Sequence, residues 1–166
     1  RCLHKNTPML ERRFTVTSPK GATLQIHSTR QLLPQKELTQ IHYEVTSENY
    51  DGPISFLALL GDNTDAPNWY PLMNNPDKDT CWLWLQLPEN DIQLCCAMNW
   101  EVLHNDIPVG KRPIKIEKHH TIGYSLTTNI KAGETCVLKK NVAVLDSRTH
   151  DKDQLVSETL KCLTNW

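Results

Sequence analysis

Apolar and polar residues alternate with a period of two through most of this chain, and turn residues interrupt the pattern at short intervals. Successive side chains of an extended strand point to opposite faces, so this alternation specifies strands with one face buried. Leu10, Arg12, Phe14 and Val16 share one face, and Ser18-Pro19-Lys20-Gly21 closes a turn. Leu24, Ile26 and Ser28 resume the alternation and run to Leu32, which predicts a β-hairpin. In the following strand Leu38, Gln40 and His42 face one side. Thr39, Ile41, Tyr43 and Val45 face the other, which is the expected core side.

Tyr50-Asp51-Gly52-Pro53 is a strong turn signal. The run from Ile54 to Leu60 that follows is apolar at both parities and predicts a central strand covered on both sides. A polar stretch then extends from Gly61 to Asp79, with prolines at 67, 71 and 76, and is expected to be a long loop. Strands are expected from Cys81 to Leu87 and, after Pro88-Glu89-Asn90-Asp91, from Ile92 to Leu103. A further pair is expected over Ile114–Ile130 and Thr135–Leu145, joined at Lys131-Ala132-Gly133-Glu134. Near the end, Leu155, Val156, Leu160 and Leu163 recur at helical spacing behind Thr149 and Asp151 as candidate caps, predicting a helix over 151–163. Many short strands followed by one helix indicate an all-β, antiparallel β-sandwich with a short C-terminal helix. At 166 residues the chain is expected to form a single domain, 1–166, with a substantial core.

Charge excludes several functions. Lys and Arg number 18 against 19 Asp and Glu, a formal net charge of −1, so no basic footprint for nucleic acid or an anionic membrane surface is present. No apolar stretch approaches the roughly 18 residues needed to span a bilayer as a helix. The opening Arg-Cys-Leu-His-Lys-Asn-Thr-Pro carries neither an initiator Met nor a signal-peptide apolar core, which reads as an interior cut. The six cysteines are scattered and form no C-x-x-C pair, so free thiols in a reducing compartment are expected and no metal ligand set is recognised.

Candidate chemistry is sparse. His119-His120 are adjacent and would diverge from a strand, and His27, His42 and His104 have no ligand spacing. Glu44 with Glu48, or Asp62 with Asp65, could form a carboxylate pair for glycoside chemistry, though chance placement of so many acids accounts for them more simply. No nucleophile elbow or glycine-rich phosphate loop occurs. Trp82 and Trp84 alternate on one strand face, with Trp100 in the next strand as a cross-strand partner, an arrangement suited to core or interdomain packing. Asn68, Trp69 and Tyr70 stand apart, in the long polar stretch between Pro67 and Pro71, where an aromatic pair could touch a sugar or merely anchor the loop.

The segments RRFTVTSPKGATLQIHSTRQLL and IHYEVTSENYDGPISFLALLGD resemble the N-terminal domain of glycoside hydrolase family 65. That family includes maltose, trehalose and kojibiose phosphorylases and acid trehalases. The similar elements are Leu10 to Phe14, Val16 to Leu33, Glu44-Val45-Thr46, Asn49 to Pro53 and Gly61-Asp62. Leu138 to His150 is similar to the family's strand before a helix, with Asp-Ser-Arg-Thr where the family has a Thr-Ser-Arg-Asp-like sequence. The resemblance implies a supersandwich, galactose-mutarotase-like in shape, that precedes a linker and a catalytic (α/α)6 barrel. It implies a chain truncated at both ends and lacking the barrel's general-acid Glu, so that the chain alone is not catalytic while the larger protein acts on an α-glucoside disaccharide. Expected with it are no cofactor beyond inorganic phosphate as a co-substrate, a cytoplasmic location and homo-oligomerisation. Asn68, Trp69 and Tyr70 become candidates for the rim of the substrate pocket.

Overall fold

The computed structural model describes residues 2–4, 8–33, 37–61, 70–76, 80–87, 90–118 and 121–164, with backbone alone for most of 2–4 and 70–76. The strands are β1 (Cys2–His4), β2 (Met9–Thr17), β3 (Thr23–Leu33), β4 (Leu38–Ser47), β5 (Gly52–Gly61) and β6 (Tyr70–Pro76). They continue with β7 (Thr80–Gln86), β8 (Gln93–His104), β9 (Ile107–Pro108), β10 (Ile114–Lys118), β11 (Thr121–Ile130) and β12 (Thr135–Asp146). A 3-10 turn at Lys152–Gln154 leads into helix α1 (Leu155–Thr164), with the Asp151 carboxylate accepting from the Asp153 N–H as its cap. The all-β antiparallel sandwich with one C-terminal helix is therefore the observed fold.

The strands divide unequally. A large sheet of nine strands runs β1-β2-β3-β4-β12-β8-β7-β6 with β9 beside β8, and a small sheet runs β10-β11-β5. Ile26 and Val45 meet Phe56, Ala58 and Leu60 of β5, Ile122, Tyr124, Leu126 and Ile130 of β11, and Met98, Val102, Cys136 and Leu138 between the sheets. The odd residues of β4 face this core, as their pattern predicts, while Leu38 is fully buried on the opposite face against Ala97, Ala143 and Leu163 of α1. The helix thus covers the outer face of the large sheet over β12, β8 and β7. Asn99 donates from Nδ2 to the Leu163 carbonyl at 3.4 Å and accepts from Asn141 Nδ2 at 2.8 Å, fixing the helix's last turn.

Two expectations fail in an informative way. Among the described residues β5 is an edge strand of the small sheet rather than a central one, paired only with β11. Its even residues are buried and Leu57 is 56% exposed, so the continuous apolar run conceals a one-sided strand. Similarly, β11 and β12 do not pair, because the turn at Lys131–Glu134 carries the chain from the small sheet to the large one. The β4–β5 corner crosses in the same place, and the two corners bind each other. Gly133 N–H donates to the Ser47 carbonyl at 2.8 Å, Ser47 N–H to the Glu134 carbonyl at 3.0 Å, and Ala132 N–H to Asp51 Oδ1 at 2.7 Å. Turn residues between two alternating runs mark a reversal but do not say whether it stays within one sheet.

The small sheet covers only part of its partner. β5 lies over β7 and β8, and β11 over β6 and β7. The inner faces of β2 and β3 extend beyond it, leaving Phe14, Val16 and Leu32 each nearly half exposed beside exposed Arg12 and Arg30.

Candidate functional site

Asn68 and Trp69 lie outside the described residues. Tyr70 opens β6 opposite Gln86 of β7, at the edge of the large sheet. The stretch from Gly61 to Asp79 is accordingly not one long loop, since seven of its residues form a strand. Pro71 and Pro76 disguised it, because a proline donates no ladder hydrogen bond and reads as a loop signal. On an edge strand that loss is tolerated, and here the register shifts between Pro71 and Met73.

The tryptophans separate by face. Trp82 pairs with Ala97 and Trp84 with Cys95, and both pack in the cluster of Leu155 of α1 and Leu145 of β12, Trp82 also in that of Leu163. Trp100 has the opposite parity and lies in the sandwich core, stacked on Tyr124 at 5.5 Å between ring centres with 20° between planes. The expected grouping of Trp100 with Trp82 and Trp84 is therefore wrong, since the register of β7 on β8 places them on opposite sides of the sheet.

Several of the described carboxylates are engaged in local structure. Glu134 Oε2 accepts from the Lys131 N–H at 2.8 Å and lies 2.9 Å from His104 Nε2, contacts that hold its carboxyl below the usual range. Hydrogen bonds from Arg148 bring Asp146 down to about 2. Both shifts run opposite to what a general acid requires. Glu48 lies past the end of β4 and accepts from Gln25 Nε2 at 2.6 Å, so it does not pair with Glu44. Asp62, Asp65, His119 and His120 lie outside the described residues. No group of three or more His, Cys, Asp or Glu that could hold a metal occurs among the described residues.

One polar hollow of about 360 Å³ opens on the outer face of β2, β3 and β4. The registers define its floor. Arg13 faces His27, which faces Glu44, and in the adjacent row Thr15 faces Gln25, which faces Thr46. Glu11 braces the first row, lying 2.8 Å from His27 Nε2 and accepting from Arg13 Nε at 2.9 Å. Sequence reasoning weighed Glu44 only as half of an acid pair and overlooked the floor. The signal was present as polar residues at the outward parity of three consecutive strands, but it needs the β3–β4 register, which no single strand's pattern reveals.

The model for the glycosyl hydrolase family 65 N-terminal domain matches residues 1–165. A search of curated protein sequences returns no match. Among solved structures, the chain is similar to a protein assigned as a kojibiose phosphorylase from the human microbiome. The TM-score is 0.81 at 15% identity, over 98% of this chain and 21% of that one. At that identity the likeness establishes the fold, and this chain spans about a fifth of its neighbour's length. The family model reaches across nearly every residue, and on that ground the chain belongs to glycosyl hydrolase family 65, as its N-terminal domain.

Proposed function

We propose that this chain is the non-catalytic N-terminal sandwich of a larger carbohydrate-active enzyme, one that cleaves an α-glucoside disaccharide such as maltose, trehalose or kojibiose. The domain packs on a catalytic (α/α)6 barrel in the same protein and shapes the rim of its substrate pocket with Asn68, Trp69 and Tyr70. The barrel supplies one Glu as general acid, and inorganic phosphate or an activated water attacks from the opposite face, inverting the anomeric centre. The enzyme is cytoplasmic and self-associates.

The observation that carries this reading is the family match over residues 1–165. The uncovered inner face of β2, with Phe14 and Val16 exposed side by side, supports packing against further protein, since contiguous exposed apolar residues mark interaction surfaces. The rival reading, a free-standing module with an aromatic platform, loses support because Trp82, Trp84 and Trp100 are spent on α1 and on the core. The rim assignment is tested in the enzyme containing this domain. Trp69→Ala should raise KM or lower kcat with little loss of melting temperature. Unchanged kinetics with a melting temperature several degrees lower would make Trp69 a structural anchor.

A further inference from the structure

The hollow on β2–β4 has a donor and acceptor pattern that suits one class of ligand. Strands lie about 4.8 Å apart and alternate residues about 6.7 Å apart along a strand, so the two rows of three span roughly 10 by 7 Å. That footprint accommodates one or two pyranose rings, and the volume falls within the range of small-molecule sites, about 300–1,000 Å³. Six of the eight lining residues are polar and come from three strands of a sheet rather than from a loop, while the other two, Phe14 and Ile26, belong by parity to the inner face.

The residues around the floor fix which atoms face the opening. His27 Nε2 is engaged by Glu11, leaving Nδ1. Gln25 donates one amide N–H to Glu48, leaving the second N–H as a donor and Oε1 as an acceptor. Arg13 is tied to Glu11 through Nε and one terminal nitrogen, leaving further N–H donors in a side chain that is 73% exposed. The Glu44 carboxylate has no hydrogen-bond or ion-pair partner among the described residues, although the residue is half-buried. Thr15 and Thr46 add two hydroxyls, with Thr46 Oγ1 held 2.9 Å from Thr135 Oγ1.

The floor therefore offers charged acceptor and charged donor together, about 10 Å apart, with amide, imidazole and hydroxyl groups between them. Glu11 and Glu48 add two carboxylates beside the floor, both already engaged, so an anion is disfavoured and the charged groups left open are the Glu44 carboxylate and the remaining Arg13 N–H donors. A neutral ligand with several hydroxyls satisfies both, donating to Glu44 and Gln25 Oε1 and accepting from Arg13. We propose that this hollow is a secondary, non-catalytic binding site for a neutral saccharide. This rests on the carbohydrate assignment above but not on the barrel or its reaction. Since no aromatic ring stacks on the ligand, binding is weak, in the millimolar range, and depends on the polar groups alone.

The test is a ¹H–¹⁵N NMR titration of the 166-residue chain with maltose, kojibiose, inorganic phosphate and glucosamine, each to 50 mM at constant ionic strength. Maltose or kojibiose should shift the amides of residues 13, 15, 25, 27, 44 and 46, phosphate should not, and glucosamine should shift them no more than maltose does. Glu44→Gln and, separately, Gln25→Ala should weaken saccharide binding at least tenfold with melting temperatures within about 2 °C of the parent. Shifts at these positions with phosphate alone, saccharide shifts located elsewhere, or no shifts with either sugar would overturn the proposal. Those failures leave the enzyme's activity untouched, so they are distinguishable from failure of the family-based reading.

Discussion

Gly123 stands at a close approach of β11 to β5 in the small sheet. It faces Leu59 across the β11–β5 ladder, with φ at +149°, and a Cβ there would lie 2.0 Å from the Ala58 carbonyl oxygen and 2.9 Å from Leu59 Cα. Both obstacles are backbone, so no side chain can rotate away. Holding a non-glycine residue in so sparsely populated a conformation costs about 1–3 kcal/mol. Relieving the clash means moving β5 off β11, and each ladder hydrogen bond weakened in doing so costs about 1 kcal/mol net. Two such bonds bring Gly123→Ala to about 3–5 kcal/mol, which for a chain of this length lowers the melting temperature by about 6–20 °C. Gly133 provides the control, since its φ is +83° but an added Cβ meets nothing within 4 Å, leaving only the conformational cost. Thermal unfolding followed by circular dichroism should order the proteins parent, Gly133→Ala, Gly123→Ala, with the larger gap before the last. A Gly123→Ala protein melting within 2 °C of the parent, or no lower than Gly133→Ala, would refute the close approach of β5 and β11.

Leu155 is fully buried between Cys95, Leu145 and the tryptophans of β7, so Leu155→Ala should cost about 2–5 kcal/mol in urea unfolding by loosening α1 from the large sheet. Asp146 titrates near 2 in the folded chain through its Arg148 hydrogen bonds, against about 3.9 when unfolded. Its contribution is therefore present above about pH 4 and lost as the pH falls through 2, and Asp146→Asn should flatten the acid limb of the stability curve over that window. Burial pushes Cys81 and Cys96 up to about 12 and Cys95 and Cys136 up to about 11, so these thiols should react slowly with a thiol reagent at pH 8. Six thiols should be counted once the chain is denatured, and a count of four would reveal a disulfide. Those raised thiols lose their protons first in the unfolded chain, so stability should fall as the pH rises above about 9. Desolvation lowers the Lys140 pKa where the side chain reaches the Leu59 carbonyl, which opposes that fall, and Lys140→Met should make it steeper.

Strand existence and facing were legible in the sequence wherever alternation was clean. The β2–β3 hairpin, the odd-parity core face of β4 and the Asp151-capped helix all follow from local periodicity and capping chemistry. Sheet membership was not legible. β5 reads as doubly buried because Leu57 and Leu59 are apolar, yet its outward face is partly open. The turn at Lys131–Glu134 looks like a hairpin because its residues are turn residues, and only the hydrogen bonds to Ser47 and Asp51 make it a crossing between sheets. β6 was hidden by prolines that an edge strand can carry. The same gap explains the misplaced Trp100 and the overlooked hollow, which both depend on registers between strands rather than on any single strand's pattern.

The proposed division of labour between this sandwich and a catalytic barrel is open to a direct assay. The 166-residue chain and the longer protein that contains it would be compared on maltose, trehalose and kojibiose, each with and without inorganic phosphate, by following release of glucose and glucose phosphate. The chain alone should match the buffer blank on every substrate, while the longer protein turns over at least one of them. Turnover by the chain alone that disappears on substituting one of its own residues would contradict a non-catalytic domain.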